Sequence, residues 1–216
     1  MHKSINNLNF IKEELKSKVK KSDKIKVIAV SKTFPIDKIL PLVEYGHIDY
    51  GENKVQEAIN KWTDIKLDYP KIKLHLIGKL QTNKVKFAVK LFDYIHSVDN
   101  EKLAKKIADE AKKINKNTKI FIQVNIGDEE QKAGINKNNL QNFYLYCKEL
   151  DLDVVGLMCI PPFDKDPNLF FKEMQLLNNN LKLDELSMGM SSDFIEAANH
   201  SSTFLRIGSR IFGKRN

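Results

Sequence analysis

Short apolar runs alternate with amphipathic stretches along the whole chain. Eight of these runs have the length and composition of buried β-strands, because each is rich in β-branched or large apolar residues and is bounded by polar ones. The predicted strands are 25–31, 48–51, 72–78, 93–98, 119–125, 153–159, 185–190 and 204–208. No Gly/Ser-rich linker interrupts the series.

The stretches between these runs have helical periodicity. Before the first strand, Ile5, Leu8, Ile11, Leu15 and Val19 share one helical face. In the clearest later helix, Leu103, Ile107, Ala111 and Ile114 do so. Residues that commonly cap helices predict helix starts at Thr82, at Asp99, and at Ser191 or Ser192.

Alternating strands and helices in this number predict an α/β fold, a single (β/α)8 TIM barrel with an extra N-terminal helix. Residues 1–216 are expected to form one domain, because a chain of this size can bury a sufficient core without a second one. The alternative is a doubly wound open sheet, which would need a glycine-rich turn after an early strand; the sequence has no GxGxxG.

Composition narrows the class of protein. No run approaches the roughly 20 apolar residues of a membrane helix, and the first residues do not have the pattern of a signal peptide. Cys147 and Cys159 are far apart and neither belongs to a CxxC motif, so we expect no disulfide framework and no metal site. A cytoplasmic protein without a membrane partner is the expectation.

A formal net charge of +8 raises the question of nucleic acid. The basic residues are scattered over the whole length, without a block of like charges and without interleaved aromatic residues. We therefore expect no nucleic-acid partner. An RNA-binding module, the class excluded here, would show binding that weakens steeply with salt.

In a barrel, the residues at the carboxyl ends of the strands face one mouth, where such folds keep their sites. Polar and special residues crowd these predicted ends. They are Ser31 and Lys32, Glu52 and Asn53, His75 with Gly78, His96 with Ser97, Asn125, Met158 to Pro161, Ser187 to Ser191, and Arg206 to Ser209.

Two segments near the end of the chain are suited to an anion. "SMGMSSDFIEAA" and "RIGSRIFG" each place glycine and serine where a strand turns into a helix, and unpaired N–H groups there can bind a phosphate. For each segment alone, the favoured explanation is simpler: Ser191 or Ser192 caps a helix, and Gly208 ends a strand.

Lys32 follows the apolar run "KVIAV" directly. A lysine at a strand end is commonly a surface residue. In a closed barrel, however, the first and last strands are neighbours, so Lys32 would lie close to Arg206 and to the two anion-binding segments. A lysine amine, a phosphate grip and a fixed cation together indicate a pyridoxal phosphate site.

Several motifs resemble the YggS/PROSC-type pyridoxal phosphate homeostasis proteins, which share their barrel with the N-terminal domain of alanine racemase. The resemblance runs nearly from end to end. Its motifs are "AVSKT" (29–33), "GENKVQEA" (51–58), "HLIGKLQTNK" (75–84), "VNIGDEEQKAGI" (124–135), "GLMCIPP" (156–162), "LSMGMSSDFIEAA" (186–198) and "STFLRIGSRIFGKR" (202–215).

The resemblance implies a pyridoxal 5'-phosphate cofactor held as an internal aldimine on Lys32. It implies phosphate contacts from Ser191 and from the backbone of Gly208 and Ser209, and places Arg206 against the pyridine nitrogen. Asn53 and Met188 would line the ring. A further family motif contains residues whose role the sequence leaves open; they are His75, Gln81, Asn83 and Lys84, the last of which is a candidate for a transient second amine.

Two positions depart from the family pattern. Ser201 stands where glycine is usual, which would strain a turn if that position needs a positive φ. Ser209 stands where threonine is common and keeps the hydroxyl.

The implied function is intracellular binding, buffering and transfer of pyridoxal phosphate in vitamin B6 homeostasis, without catalysis. Arg206 can only donate to the ring nitrogen, and the tyrosine base that a racemase draws from a second domain has no counterpart in a chain whose last tyrosine is Tyr146. A slow amino-acid racemase is the alternative. The expected partners are the cofactor and apo-enzymes that depend on it, and a monomer is expected.

Overall fold

The strands form a closed parallel barrel in the computed structural model, which describes residues 1–214. Their order around the barrel is their order in the sequence, and the last strand pairs with the first. The strands are β1 Lys26–Val30, β2 Asp49–Glu52, β3 Lys73–Leu76, β4 Tyr94–Val98, β5 Lys119–Gln123, β6 Asp153–Met158, β7 Glu185–Ser187 and β8 Phe204–Ile207. The prediction of a TIM barrel is confirmed, and all eight predicted strands overlap observed ones.

Helices alternate with the strands, and one helix precedes them. Over residues 1–214 they are α1 Lys3–Lys18, α2 Ile36–Glu44, α3 Val55–Asp68, α4 Val85–Leu91, α5 Glu101–Lys113, α6 Leu140–Glu149, α7 Pro167–Asn180, α8 Phe194–Asn199 and α9 Ser209–Phe212. Short 3-10 turns lie at Ser22–Lys24, Thr82–Lys84 and Lys137–Asn139.

Helix α1 is the predicted extra helix. The predicted stripe, of which Leu8 and Ile11 are the most deeply buried members, packs beside α2, α8 and α9 on the outside of the barrel. Asn7 donates from its side chain to the carbonyl of Ile211, at 2.9 Å, which ties α1 to α9. The helix therefore covers the seam where β1 meets β8.

The register across this seam sets the positions of the candidate site residues. Ile28 of β1 is paired with Arg206 of β8, and Ala29 with Ile207. Ile28 and Val30 belong to the apolar cluster that fills the barrel. Lys32 continues the same alternation two residues beyond Val30, in the turn that follows β1.

Five details of the sequence prediction were wrong. Thr82 does not cap a helix: it is the first residue of a 3-10 turn that follows Gln81, and α4 begins at Val85. Helix α5 is capped by Asn100, not Asp99, and α8 begins after Asp193 rather than after Ser191 or Ser192. The side chain of Ile114, predicted on the buried face, is 40% exposed because α5 has ended before it. His75 and His96 lie within β3 and β4 and are fully buried inside the barrel, so they do not belong to the rim.

Over the part of the chain that the structure describes, no helix has the length and apolar character that crossing a membrane requires.

Candidate functional site

The carboxyl end of the barrel brings together the residues that the sequence singled out. Lys32 follows β1 and is partly buried; Arg206 lies in the adjacent β8 and is 5% exposed. Ser191 lies in the turn after β7, and Gly208 and Ser209 directly follow β8. Strands β7, β8 and β1 are consecutive around the barrel, so these residues occupy one sector of its mouth.

The turn that carries Lys32 is held from outside by helix α3. Thr33 has φ +67°, a left-handed conformation that is costly for a β-branched residue. Its backbone N–H donates to the Glu57 carboxylate at 2.7 Å. Lys61, one helical turn after Glu57, donates to Glu57 at 3.1 Å and to the carbonyl of Ser31 at 3.0 Å. The peptide groups on both sides of Lys32 are thereby fixed.

We call these contacts of Glu57 and Lys61 with the Lys32 turn the clamp. A buried carboxylate, that of Glu52, also binds Lys61. Glu52, at the end of β2, has no exposed surface, and its Oε1 accepts hydrogen bonds from Ser31 Oγ at 2.7 Å, Lys61 Nζ at 3.0 Å and Trp62 Nε1 at 3.0 Å. A buried ion pair offsets its desolvation only with such additional hydrogen bonds. Glu52 therefore connects the ends of β1 and β2 to α3.

Arg206 is a buried cation with fixed orientation. Its NH1 donates to Ser187 Oγ at 2.7 Å and its NH2 to the carbonyl of Cys159 at 2.8 Å. Its backbone N–H donates to the carbonyl of Gly189 at 3.0 Å. Burial lowers the pKa of Arg206 below its ordinary value, but a guanidinium remains a cation at physiological pH. No carboxylate within residues 1–214 forms an ion pair with it.

The two turns predicted to bind a phosphate contain backbone N–H groups that can donate hydrogen bonds to it. The turn after β7 is closed by the Asp193 carboxylate, which accepts from the N–H of Met190 at 2.6 Å, while the N–H of Asp193 donates to the Met190 carbonyl at 3.3 Å. These bonds leave the N–H groups of Ser191 and Ser192 unused among the described hydrogen bonds.

The second turn is the start of α9. Gly208 caps this helix, and the first hydrogen bonds of α9 run from Ile211 and Phe212 to the Gly208 carbonyl. The N–H groups of Ser209 and Arg210, in the first turn, have no partner within the helix. Donors from two adjacent strands, a partly buried amine and a buried guanidinium fit a ligand with a phosphate, an aldehyde and a ring nitrogen.

Glycine is required at Gly189 for reasons of backbone shape. Its φ is +87°, and a Cβ there would lie 2.4 Å from the Cβ of Ala197 in α8. The turn after β7 thus packs directly on α8. Gly208 has an ordinary φ and only a tight approach to Val30, 3.3 Å from its carbonyl to an added Cβ.

The remaining predicted site residues differ in their surroundings. Asn53 is partly buried in the turn after β2, and Gly78 packs against it so closely that a Cβ on Gly78 would lie 2.4 Å from the Asn53 carbonyl oxygen. Met188 has no exposed surface, and its backbone N–H donates to Ser202 Oγ at 3.3 Å. Asn53 is placed to reach the mouth, whereas Met188 is part of the β7–β8 packing.

Sequence reasoning missed the clamp on the Lys32 turn. Glu57 and Lys61 are four residues apart on α3, a spacing that signals a helical ion pair but not what the pair holds. The two thiols have no evident role in the site: burial raises the pKa of both Cys147 and Cys159 to about 12.

Comparison with known proteins shows the family of the chain. The profile of the "Alanine racemase, N-terminal domain" family matches residues 6–216. A pyridoxal phosphate homeostasis protein of Aquifex aeolicus is 39% identical over 201 residues, which cover 88% of this chain and 87% of that protein.

Solved structures extend the comparison. PipY of Synechococcus elongatus, in a structure described with PLP bound, superposes with a TM-score of 0.86 at 32% identity, over 97% of this chain and all of that one. Alanine racemase of Clostridium difficile shares the fold alone, with a TM-score of 0.75 at 14% identity over 97% of this chain and 57% of the racemase. The chain therefore belongs to the alanine racemase N-terminal domain family and, within it, to the pyridoxal phosphate homeostasis proteins.

Proposed function

We propose that this protein binds pyridoxal 5'-phosphate at the mouth of the barrel and serves intracellular vitamin B6 homeostasis. One observation carries the proposal: a partly buried lysine directly after β1 and a buried arginine in the adjacent β8 lie at the same end of the barrel, beside two turns whose backbone donors are unused among the hydrogen bonds of residues 1–214. The relatives named as pyridoxal phosphate homeostasis proteins and the cofactor-bound PipY structure support it.

Each candidate residue has a separate task in this proposal. Pyridoxal phosphate supplies an aldehyde, which condenses with a primary amine with loss of water. Lys32 provides that amine from a turn that α3 holds in place. Ser191, with the backbone of Gly208 and Ser209, binds the phosphate; Arg206 donates to the ring nitrogen. Asn53 lies beside the ring, and Met188 supports it from the β7–β8 packing.

We further propose that the protein carries the cofactor and does not catalyse a reaction. A guanidinium can only donate a hydrogen bond, so the ring nitrogen opposite Arg206 stays unprotonated and withdraws electrons weakly. Racemisation then needs strong bases on both faces of the substrate. Tyr94 inside the barrel and Tyr50, which packs against Trp62 of α3, do not meet that need, because burial raises the pKa of Tyr94 to about 12 and that of Tyr50 still further and so keeps both protonated.

Borohydride reduction of the cofactor-loaded protein, followed by peptide mass mapping, tests the assignment of Lys32. We expect the reduced adduct on the peptide that contains Lys32, and loss of the visible absorption of the bound cofactor in Lys32→Ala. Lys165→Ala, which changes an exposed lysine on the β6–α7 loop, is the matched control and should bind as the wild type does. An adduct confined to another peptide would overturn the assignment.

The alternative, a slow racemase, makes a different prediction. A racemase would exchange the α-proton of alanine or serine in deuterated water at a rate that depends on bound cofactor. We expect no exchange above that of free pyridoxal phosphate, measured by proton NMR. Faster exchange that is lost in Lys32→Ala would replace the carrier by an enzyme.

A further inference from the structure

A continuous line of buried polar side chains runs through the inside of the barrel and ends at Arg206. Asp49 Oδ1 lies 3.0 Å from His75 Nε2, and His75 Nδ1 lies 3.0 Å from His96 Nε2. His96 Nδ1 lies 2.9 Å from Ser187 Oγ, which accepts from Arg206 NH1 at 2.7 Å. We call these five residues the barrel relay.

The relay crosses the barrel from one end to the other. Asp49 begins β2 and, with Lys26 and His47, lines a pocket of about 510 Å³ at the amino end of the strands. Both imidazoles are completely buried, and they lie among aromatic rings: His75 is stacked on Tyr94 at 4.5 Å and His96 on Phe121 at 4.3 Å between ring centroids. The aromatic packing fixes the planes of both rings.

The two ends of the relay determine the direction of every hydrogen bond. A carboxylate only accepts, so His75 donates from Nε2 to Asp49. Neutral His75 then accepts at Nδ1 from His96 Nε2, and neutral His96 accepts at Nδ1 from the Ser187 hydroxyl. The lone pairs of Ser187 are left for Arg206, which only donates. Burial lowers the pKa of both histidines, consistent with neutral rings.

We propose that Asp49, His75, His96 and Ser187 are positioning residues that hold the guanidinium of Arg206 at the floor of the cofactor site. Hydrogen bonds that all point the same way polarise one another, and here they lead from a buried cation to a carboxylate. The Ser187 and Cys159 contacts fix the guanidinium plane at NH1 and NH2. The inference rests on the proposed function only in what it says of the cofactor.

The Asp193 carboxylate is an alternative acceptor for the Arg206 guanidinium. The titratable groups near the guanidinium are Cys159 and His96, both uncharged at neutral pH, and Asp193, whose negative charge acts on it. Without the Ser187 acceptor, the guanidinium is free to turn toward Asp193, in the turn that is proposed to bind phosphate. Loss of the relay would therefore change both the ring contact and the phosphate contact.

The first experiment uses the cofactor-free protein. Nitrogen-15 NMR of the imidazoles should show His75 and His96 both neutral at pH 7.5 and both carrying the proton on Nε2. The side-chain N–H signals of Arg206 should exchange slowly with water in the wild type and faster in Ser187→Ala. A proton on Nδ1 of either ring, or unchanged exchange in Ser187→Ala, would overturn the relay, whether or not the protein binds pyridoxal phosphate.

The second experiment measures the cofactor. We expect Ser187→Ala and His96→Phe to raise the dissociation constant for pyridoxal phosphate about tenfold, because each loses one hydrogen bond in the line that ends at a charged group. Both variants should also shift the visible absorption maximum of the bound cofactor. Ser187→Thr keeps the hydroxyl and should restore both properties. His47→Phe is the matched control: it removes another buried histidine, bonded to the Asp49 carbonyl but outside the relay.

The outcomes separate the two proposals. If the wild type binds no pyridoxal phosphate, the proposed function fails and the NMR experiment still decides the relay. If the wild type binds and Ser187→Ala binds with the same constant and the same spectrum, the relay serves only the stability of the barrel and the positioning role is wrong.

Discussion

The backbone of Ser201 has a strained conformation. Its φ is +67°, in the left-handed region that glycine adopts at little cost. Because the family pattern has glycine at this position, the structure answers the question that the sequence raised: the position does need a positive φ. The Ser201 hydroxyl accepts from Gln175 at 2.7 Å, an exposed contact of small value.

Ser201→Gly should stabilise the protein. A left-handed residue with a side chain costs about 1–2 kcal/mol, and the extra backbone entropy of glycine takes back about 0.5–1 kcal/mol. We expect a net gain of about 0.5–1 kcal/mol in the free energy of unfolding, measured by urea titration. Ser17→Gly, in the last turns of α1, is the control and should give no gain. A loss of stability in Ser201→Gly would contradict the assignment of strain.

Strand-end reasoning located Lys32, Ser191 and Arg206, because period-two alternation and barrel closure follow from the sequence pattern alone. It failed for His75 and His96. Whether a polar residue near a strand end lies at the rim or inside depends on the register between neighbouring strands, and no local pattern gives that register. The relay also needs residues from five different strands to meet.

At the level of elements, α3 acts as a support for the site. It contributes Glu57 and Lys61 to the turn that carries Lys32, and Trp62 to the buried carboxylate of Glu52. The strained conformation of Thr33 persists because the surrounding contacts determine it.

Glu57→Ala should therefore weaken cofactor binding without unfolding the protein. It removes the acceptor of the Thr33 N–H, a hydrogen bond near the surface worth about 1 kcal/mol, so we expect about fivefold weaker binding of pyridoxal phosphate in a fluorescence titration. Glu57→Gln keeps an acceptor oxygen and should bind nearly as the wild type does. Gln56→Ala, exposed on the same helix, is a second control. Equal binding by Glu57→Ala and wild type would show that the Lys32 turn needs no clamp.

Element order was predictable, whereas helix ends were not. The eight strands were recognised by their apolar runs, since each must be buried on both faces. The starts of α5 and α8 were misplaced by one or two residues because several adjacent residues there, such as Asp99 and Asn100, are all good caps. Only the folded backbone decides between them.

The molecule as a whole holds three uncharged histidines in its interior. Burial is the largest cause of a lowered pKa for His75 and His96, and it lowers the pKa of His47 to about 4. In the unfolded chain each of these groups has a pKa near 6.5. Below that pH the unfolded chain takes up protons that the folded protein does not, so stability is present above about pH 6.5 and is lost as the pH falls.

We expect the free energy of unfolding to fall between pH 7 and pH 5.5, by about 1 kcal/mol from His47, whose pKa is lowered to about 4, and by a further amount from His75 and His96. Carboxylates with ordinary pKa values, near 4, titrate below this window. Urea midpoints across the range measure the effect. The double variant His47→Phe/His96→Phe should show a smaller slope than the wild type; a slope equal to that of the wild type would refute the assignment.

The seam between β1 and β8 has a consequence for biosynthesis. Lys32 leaves the ribosome long before Arg206 and Ser209, so a nascent chain possesses the amine but nothing that grips the vitamin's phosphate. On the proposed site, capture must wait until β8 and the start of α9 have been synthesised. Bound cofactor then contacts residues that follow both β1 and β8, and so stabilises the closed barrel relative to a partly folded chain.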